Sequence, residues 1–179
     1  MRTIVTVTSS EESMLRARAD EVQPEDIQSH LIQNVILDMK EALSKEKFGV
    51  AIAAPQVGEL LRIFVVRGKV FASRSGDEYD EDIHKDQTFI NPEVVKVSKK
   101  IKTGDEGCLS IPGKYGTRVD RYDKITIRYF DEFGERHERG ASGFLARVFQ
   151  HEIDHLNGIL YTDIATEVIS VDDDLKPIA

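Results

Sequence analysis

The feature that most constrains this chain is the segment Gln-His-Glu-Ile-Asp-His at residues 150–155. On an α-helix, His151 and His155 would lie on one face, about one turn apart. Two imidazoles at that spacing can bind one metal ion, and Glu152 beside the first can transfer a proton. The alternative is a surface helix that carries two histidines by chance. Burial of the helix separates these two interpretations.

The flanking residues predict that this helix is buried. Ser142 stands where an N-cap is favoured, and Gly158 stands where a left-handed residue commonly ends a helix. The residues between them include six large apolar side chains: Phe144, Leu145, Val148, Phe149, Ile153 and Leu156. A helix this apolar is mostly buried. Buried histidines beside a glutamate cost free energy unless something pairs with them, and a metal ion is a suitable partner.

Length and composition predict one globular domain. The chain has 179 residues, of which 40% are hydrophobic and 31% charged, enough for a core of its own. We expect a single catalytic domain over residues 1–179, with 164–179 as a short frayed tail. The formal charge of −8 argues against nonspecific nucleic-acid binding, which needs a basic face. No apolar run approaches the ~20 residues that a bilayer requires, so no membrane partner is expected.

Cysteine content bears on the compartment. Cys108 is the only cysteine, so no internal disulfide is possible. A lone cysteine is typical of a reducing compartment, where it is either inert or chemically employed. The apolar segment at the N-terminus is too short for a secretory signal. We therefore expect a cytoplasmic location.

Hydrophobic periodicity predicts an α+β fold, with antiparallel strands packed around a central metal-bearing helix. An amphipathic N-terminal helix is predicted from Pro24 to about Lys47, with apolar residues at every fourth position: Ile27, Leu31, Val35, Met39 and Leu43. The predicted strands are residues 3–7, 60–67, 88–92, 94–97, 123–130, 135–139 and 159–161. A turn at 131–134 is predicted to join 123–130 and 135–139 in a hairpin. Residues 68–87 are predicted to form a long solvated loop or lid.

A catalytic metal site needs a third protein ligand if the fourth position is to stay open for water. Ordinary His-Glu-x-x-His proteases take that ligand from a downstream histidine or glutamate, and this chain offers only Glu167 there. Upstream, Cys108 lies in a glycine-flanked segment that could bring its sulfur close. A thiolate, two imidazoles and one water would make an open catalytic site.

Three blocks together resemble peptide deformylase. They are Gly-Val-Ala-Ile-Ala-Ala-Pro-Gln at 49–56, Glu-Gly-Cys-Leu-Ser at 106–110, and Gln-His-Glu-Ile-Asp-His at 150–155. The blocks occur in the order and at about the spacing of that family. The resemblance implies a metal-dependent hydrolase that removes the N-formyl group from the N-terminal formylmethionine of newly made polypeptides. It also implies one divalent ion held by Cys108, His151 and His155: Fe²⁺ natively in many members, with Zn²⁺, Ni²⁺ or Co²⁺ as alternatives.

The resemblance also implies roles for individual residues. The metal would lower the pKa of its bound water toward ~7, and the resulting hydroxide would attack the formyl carbon. Glu152 would pass the water's proton to the leaving amine. The Gln56 amide and the Leu109 backbone N–H would stabilise the oxyanion. The peptide would add as a strand beside residues 49–51. The expected substrate-binding residues are Gly49, Val50, Ala51, Glu106, Gly107, Phe144, Arg147 and Val148.

Several positions depart from the family pattern. Ala51 replaces the second glycine of the first block, so its methyl group either points away or narrows the groove. Arg147 stands where an apolar residue usually lines the methionine pocket, and it either extends over the rim or changes the preferred first side chain. Tyr115 stands where many members carry a substrate-binding arginine. A long basic C-terminal helix that docks some members on the ribosome is absent, so we expect ribosome contact to be transient at most.

Two other functions compete with this interpretation. A zinc endopeptidase of the His-Glu-x-x-His type would need a downstream third ligand and would cleave internal peptide bonds. A non-catalytic descendant would bind a peptide or a metal without turnover, and only the departures at Ala51, Arg147 and Tyr115 favour it. The presence of three candidate ligands, Glu152 and Gln56 argues against that second alternative.

Overall fold

The protein is described by a computed structural model that covers residues 3–75 and 78–178. Its helices are α1 (Ser13–Arg16), α2 (His30–Ser44), α3 (Gly68–Ser75) and α4 (Gly143–Leu156). Its strands are β1 (Ala51–Ala53), β2 (Ile63–Val66), β3 (Gln87–Val97), β4 (Ile101–Gly107), β5 (Lys114–Tyr122), β6 (Lys124–Phe130), β7 (Arg136–Ser142) and β8 (Glu167–Ser170). The fold is α+β, as the sequence predicted. None of the described helices has the length and apolar character to cross a membrane.

The strands form two antiparallel sheets. The larger has five strands in the order β1-β2-β3-β6-β7, and the smaller has three in the order β4-β5-β8. The turn predicted at residues 131–134 joins β6 to β7 in a hairpin, where Phe130 pairs with Arg136. Strand β1 is at the edge of the larger sheet, and only β2 pairs with it among the described strands.

Helices α2 and α4 cover opposite faces of the larger sheet. Strand β2 shows this, because successive side chains of a strand point to opposite faces. Phe64 and Val66 belong to the buried cluster that contains α4 residues, and Ile63 and Val65 belong to the cluster that contains α2 residues. Phe149 of α4 packs on the Phe89 ring with centroids 4.9 Å apart. Burying each such side chain contributes roughly 1.5–3 kcal/mol, which fixes α4 on the sheet.

The boundaries of α4 match the prediction, but the predicted N-cap residue does not cap the helix with its side chain. Ser142 occupies the N-cap position, but its side chain makes no capping hydrogen bond. Gly158 follows the helix in the left-handed region, with φ +73°. A Cβ at Gly158 would lie 2.4 Å from the carbonyl oxygen of Arg16, so this close approach also requires glycine.

The N-terminal helix begins later than predicted. Pro24–Asp26 form a single 3₁₀ turn, and α2 begins at His30, with Ser29 as N-cap and its hydroxyl accepting from the Ile32 backbone N–H. This break changes which residues face the core. Leu31 is 71% exposed, and Ile32 and Ile36 are buried in its place. The helix ends at Ser44, before the predicted limit at Lys47.

Several predicted strands were wrong or differ in extent. Residues 3–7 form no strand, and they make isolated backbone bonds from Val5 N–H to the Gln56 carbonyl and from Val7 N–H to the Ser110 carbonyl. The strand predicted at 60–67 is limited to Ile63–Val66. The two strands predicted on either side of Pro92 are one strand, β3, with an irregular register between Ile90 and Glu93.

The loop and tail predictions also need correction. The segment 68–87 contains α3 and the start of β3, and Gly76 and Asp77 within it lie outside the described residues. Residues 159–161 are not a strand, because a 3₁₀ turn forms at Tyr161–Asp163. The tail expected to fray contains β8, which pairs with β5. Beyond β8, a bridge between Val171 and Pro177 closes a turn over residues 172–176.

Candidate metal centre

The three predicted ligands meet in space. His151 and His155 lie one turn apart on α4, and Cys108 follows the end of β4. The Cys108 sulfur is 3.2 Å from the His155 Nε2 atom, and one ligand atom from each of the three residues lies within 4.8 Å of the others. Glu167, the endopeptidase alternative, lies instead in β8, where it pairs with Thr117.

The segment after β4 brings the cysteine to the helix. The Tyr115 ring covers Gly107 so closely that a Cβ there would lie 2.5 Å from the ring. After Gly107 the chain turns, and the Ile111 backbone N–H donates to the Cys108 carbonyl at 3.0 Å. Ile111 is buried beneath the turn with Tyr161, and Cys108 packs against this cluster. Packing of Gly107 against Tyr115 and of Cys108 against this cluster therefore positions the thiol.

Glu152 has the environment expected of a proton-transfer group. It is 4% exposed, and its Oε2 atom has no hydrogen-bond partner among the described residues. Burial raises the pKa of this carboxyl to about 7, against the opposing charge of His151. A buried carboxylate oxygen without a partner is costly unless a water or substrate belongs beside it. A thiolate with two imidazoles suits Fe²⁺, Zn²⁺, Co²⁺ or Ni²⁺, so these residues fit a hydrated divalent ion.

Gln56 is held beside the ligand sulfur. Its side-chain oxygen accepts a hydrogen bond from the Ala53 backbone N–H at 2.8 Å. Its Nε2 atom therefore points away from β1, and it donates to the Ser110 hydroxyl at 3.1 Å and toward the Cys108 sulfur at 3.4 Å. Leu109, the other predicted oxyanion donor, lines the cavity next to these residues.

Glu106 contacts a predicted metal ligand. It borders the cavity, so its predicted contact with substrate stays a prediction, but it is 5% exposed and its carboxylate is bonded to other protein groups. Its Oε2 atom accepts from His151 Nδ1 at 2.8 Å, and Arg121 donates to both carboxylate oxygens at 2.8 and 2.9 Å. Arg121 also contacts Asp154 at 2.5 Å. Arg121 was not predicted as a site residue, because its only signal in the sequence is a basic residue among alternating polar and apolar positions.

Burial and the charges around Glu106 shift the pKa values of His151 and His155 in opposite directions. Burial opposes ionisation of Glu106, but hydrogen bonds from Arg121 and His151 lower its pKa to about 2. Burial would lower the pKa of His151, but hydrogen bonds to Cys108 and Glu106 raise it well above its usual value. Burial lowers the pKa of His155 well below its usual value, so this ring is neutral. With Nδ1 of His151 directed at Glu106, its Nε2 atom is left for the metal.

Comparison with known proteins decides the family. Residues 1–169 match the family model described as polypeptide deformylase. The chain belongs to the polypeptide deformylase family. These enzymes are hydrolases that act on N-formyl peptides. Nothing in the comparisons supports the endopeptidase or the non-catalytic binding protein.

Individual deformylases extend the match over most of the chain. A peptide deformylase of Symbiobacterium thermophilum is 44% identical over 143 residues, which are 80% of this chain and 59% of that relative. Peptide deformylase 2 of Clostridium acetobutylicum is 39% identical over 164 residues, 89% of this chain and 94% of the relative. The crystal structure of a Synechococcus elongatus peptide deformylase in complex with actinonin has a TM-score of 0.75 and 30% identity, covering 93% of this chain and 79% of the other.

The deformylase cleft runs between the two sheets beside the ligands. Its cavity of about 500 Å³ is lined by all eight predicted substrate residues: Gly49, Val50, Ala51, Glu106, Gly107, Phe144, Arg147 and Val148. Val148 is buried, and Phe144 is 60% exposed at the rim. The sequence analysis missed the C-terminal turn, from which Asp172, Asp173 and Leu175 also line the cavity.

The structure shows where two residues that depart from the deformylase pattern, Ala51 and Arg147, lie. Ala51 is 6% exposed and belongs to the buried cluster around α4, while it also borders the cavity. Arg147 borders the cavity as well, but its guanidinium hydrogen-bonds to β4 and β5. The contact of Arg147 with substrate stays a prediction, and the guanidinium donors are used within the protein.

Proposed function

We propose that this chain hydrolyses the formyl amide at the N-terminus of new polypeptides, with a divalent ion held by Cys108, His151 and His155. The observation that supports this most is the convergence of those ligand atoms within 4.8 Å beside the buried carboxylate of Glu152. The ion supplies Lewis-acid chemistry and lowers the pKa of a bound water toward ~7. Fe²⁺ is our proposal for the native ion, with Zn²⁺, Ni²⁺ or Co²⁺ able to replace it.

Glu152 moves the proton in this proposal. Its carboxylate takes a proton from the attacking water as the new C–O bond forms at the formyl carbon. It then gives that proton to the amine nitrogen as the C–N bond breaks, so that formate and a free N-terminus leave. A pKa of about 7 suits both steps, because the group accepts and releases protons readily near neutral pH.

Two donors stabilise the charge that develops on the formyl oxygen. The Gln56 amide is fixed at its oxygen by the Ala53 backbone, which directs its Nε2 atom toward Cys108. The Leu109 backbone N–H is the second donor in this proposal. Gln56 would exchange its contact with the sulfur for the substrate oxygen. Loss of one such donor typically costs about 10²–10³ in rate.

The peptide binds along the unpaired edge of β1. Residues 49–51 line the cavity, and β1 has no second neighbour among the described strands, so backbone hydrogen bonds remain available there. The first side chain would enter beside Val148 and Phe144, which supply apolar contact. A cytoplasmic location and a transient encounter with the ribosome complete the proposal, since formylated chains emerge there and a ligand thiolate needs a reducing compartment.

The test is a formate-release assay on anaerobically purified protein with elemental analysis. We expect about one divalent ion per chain and release of formate from formyl-Met peptides, faster than from formyl peptides with other first residues. The matched control is Cys108→Ala, which should lose both metal and activity. Cleavage at internal bonds with formyl peptides untouched would refute the proposal. Full metal content in Cys108→Ala would mean that the third ligand lies elsewhere.

A further inference from the structure

Arg147 lies one helical turn before His151 on α4, and its guanidinium spans the gap to the smaller sheet. Its Nη2 atom donates to the Lys102 carbonyl at 2.8 Å. Its Nη1 atom donates to the Val119 carbonyl at 3.0 Å, and the Gly104 carbonyl lies 3.4 Å from the same atom. The arginine side chain is 13% exposed. These donors therefore serve the backbone of β4 and β5 and are not available to a peptide in the cavity.

The carbonyls that Arg147 reaches lie at an irregularity of the smaller sheet. Gly104 pairs with Val119, but Glu106 pairs with Gly116, so β5 has one more residue than β4 across this step. Arg118, within the extra length, has a φ of 56°. A bulge of this kind interrupts the regular ladder of hydrogen bonds. The guanidinium supplies donors at that place and joins α4 to the sheet there.

Gly104 provides the space that the guanidinium needs. A Cβ at this position would lie 2.9 Å from Nη2 of Arg147 and 3.1 Å from its Cζ atom. The backbone of Gly104 lies outside the left-handed region, so alanine could adopt its conformation. A larger residue would therefore displace the guanidinium from its present position, so space and not backbone geometry favours glycine here. Gly104 and Arg147 act as a pair.

The same guanidinium completes the hydrogen bonding of Glu106. Nη1 of Arg147 donates to Oε1 at 2.8 Å, beside the bond from Arg121 to that oxygen. The other oxygen accepts from Arg121 and from His151. A carboxylate has about four lone-pair positions, so these four donors saturate it. Without Arg147, Oε1 would keep one donor, and the carboxylate would be held by the fork of Arg121 and by His151 alone.

We propose that Arg147 is a positioning residue for the metal ligand His151, acting through Glu106, with Gly104 as its necessary counterpart. The proposal rests on the metal centre of the proposed function. A carboxylate that receives the second nitrogen of a ligand histidine fixes the ring orientation, and loss of such partners typically weakens metal binding by about 10–100-fold. Arg147 fixes that carboxylate in turn. It does not contact the substrate.

The first test compares Arg147→Met, Arg147→Lys and the control Arg139→Met. Met keeps the apolar stem and removes the donors, while Lys keeps the charge but cannot make the forked contacts. Arg139 is a half-buried arginine of β7 that bonds Gln87 of β3, so its removal probes general loss of an arginine. Zn²⁺ affinity is measured by chelator competition, and the ligand field by the visible absorption of Co²⁺-loaded protein.

We expect Arg147→Met to raise the Zn²⁺ dissociation constant by about 10-fold, the lower end of the range for losing the carboxylate itself, and to shift the Co²⁺ absorption, with a smaller effect in Arg147→Lys. Arg139→Met should change neither. In assays with saturating metal, KM for formyl-Met peptides should stay near wild type. An unchanged metal affinity and Co²⁺ spectrum with only a lower unfolding temperature would overturn the proposal, because Arg147 would then be a structural link. A changed KM with unchanged metal affinity would also overturn it, in favour of substrate contact.

A double-mutant cycle tests the pairing with Gly104. Gly104→Ala should displace the guanidinium and weaken Zn²⁺ binding in the wild-type background. In the Arg147→Met background it should add no further loss. Equal losses in both backgrounds would overturn the pairing. These binding measurements use Zn²⁺ and Co²⁺ without any peptide, so they stand even if the formate-release assay fails.

Discussion

At the residue scale, the function depends on one carboxylate kept apart from other protein groups. Glu152 has a buried oxygen without a partner among the described residues, while Glu106 nearby is saturated by donors. The two glutamates therefore differ in pKa, about 7 for Glu152 and about 2 for Glu106. Only Glu152 can exchange a proton near neutral pH.

This difference predicts the result of Glu152→Gln. The amide keeps the shape of the side chain but cannot accept a proton, so turnover should fall by about 10²–10⁴-fold with metal content unchanged. Formate release and elemental analysis on the same sample measure both quantities. Glu138→Gln, on the exposed face of β7, is the control and should behave as wild type. Near-normal turnover in Glu152→Gln would show that another group moves the proton.

Residue identities at the centre were largely predictable, and their supports were not. His151, Glu152 and His155 followed from spacing on an apolar helix. Arg121 and Arg147 were not predictable as supports of Glu106, because their contacts depend on a bulge between β4 and β5 and on where α4 crosses that sheet. Local patterns carry no information about such a crossing.

At the element scale, the β6–β7 turn is organised by one aspartate. Asp131 Oδ1 accepts from the backbone N–H groups of Phe133 and Glu135, both at 2.9 Å. Its other oxygen lies 2.7 Å from Nε2 of His137. Burial opposes ionisation of Asp131, but the contacts with His137 and the two backbone groups outweigh burial and lower its pKa.

Asp131→Asn should therefore lower stability in a pH-dependent way. A lowered folded-state pKa means that the carboxylate stabilises the fold above its unfolded pKa of about 3.9 and loses that effect as pH falls through the folded value. We expect the variant to be about 1 kcal/mol less stable than wild type at pH 7, with a smaller difference at pH 3. Urea unfolding measures this. Asp173→Asn, exposed in the C-terminal turn, is the control; a constant difference for Asp131→Asn would contradict the assignment.

Elements with strong periodicity and clear turn residues were predicted best. Helix α4 and the β6–β7 hairpin matched, because each carries its own boundary signals. Helix α2 was displaced because Ile27 continues the four-residue spacing by coincidence, while Ser29 caps the true start. Strand β8 was missed because four residues at 167–170 become a strand only through pairing with β5. The order of strands in the two sheets likewise depends on contacts far apart in sequence.

At the scale of the whole molecule, the ligands come from different layers. Both histidines lie on α4, which packs on the larger sheet, and Cys108 follows β4 of the smaller sheet. A bound ion would therefore link the two layers. The expectation of one domain over residues 1–179 remains a prediction, and such a link would favour it.

Metal removal should accordingly lower global stability. A ligand that binds only the folded state stabilises it by about 4 kcal/mol at a thousand-fold excess over its dissociation constant. For a chain of this size that corresponds to a fall on the order of 10 °C in unfolding temperature after chelation. Thermal unfolding with and without Zn²⁺ measures it, and Cys108→Ala should respond much less. An equal response in that variant would mean that the ion does not join the layers through the sulfur.

The unpaired edge of β1 has one more consequence. An open strand edge can recruit a neighbouring copy and seed aggregates, and proteins commonly limit this hazard by keeping such strands short. Strand β1 has only three residues, Ala51–Ala53, and the Ala53 N–H is already bonded to Gln56. A second copy would therefore gain few hydrogen bonds by docking there. Because the strand is so short, a short peptide could still pair with it, while pairing with a second copy of the chain is disfavoured.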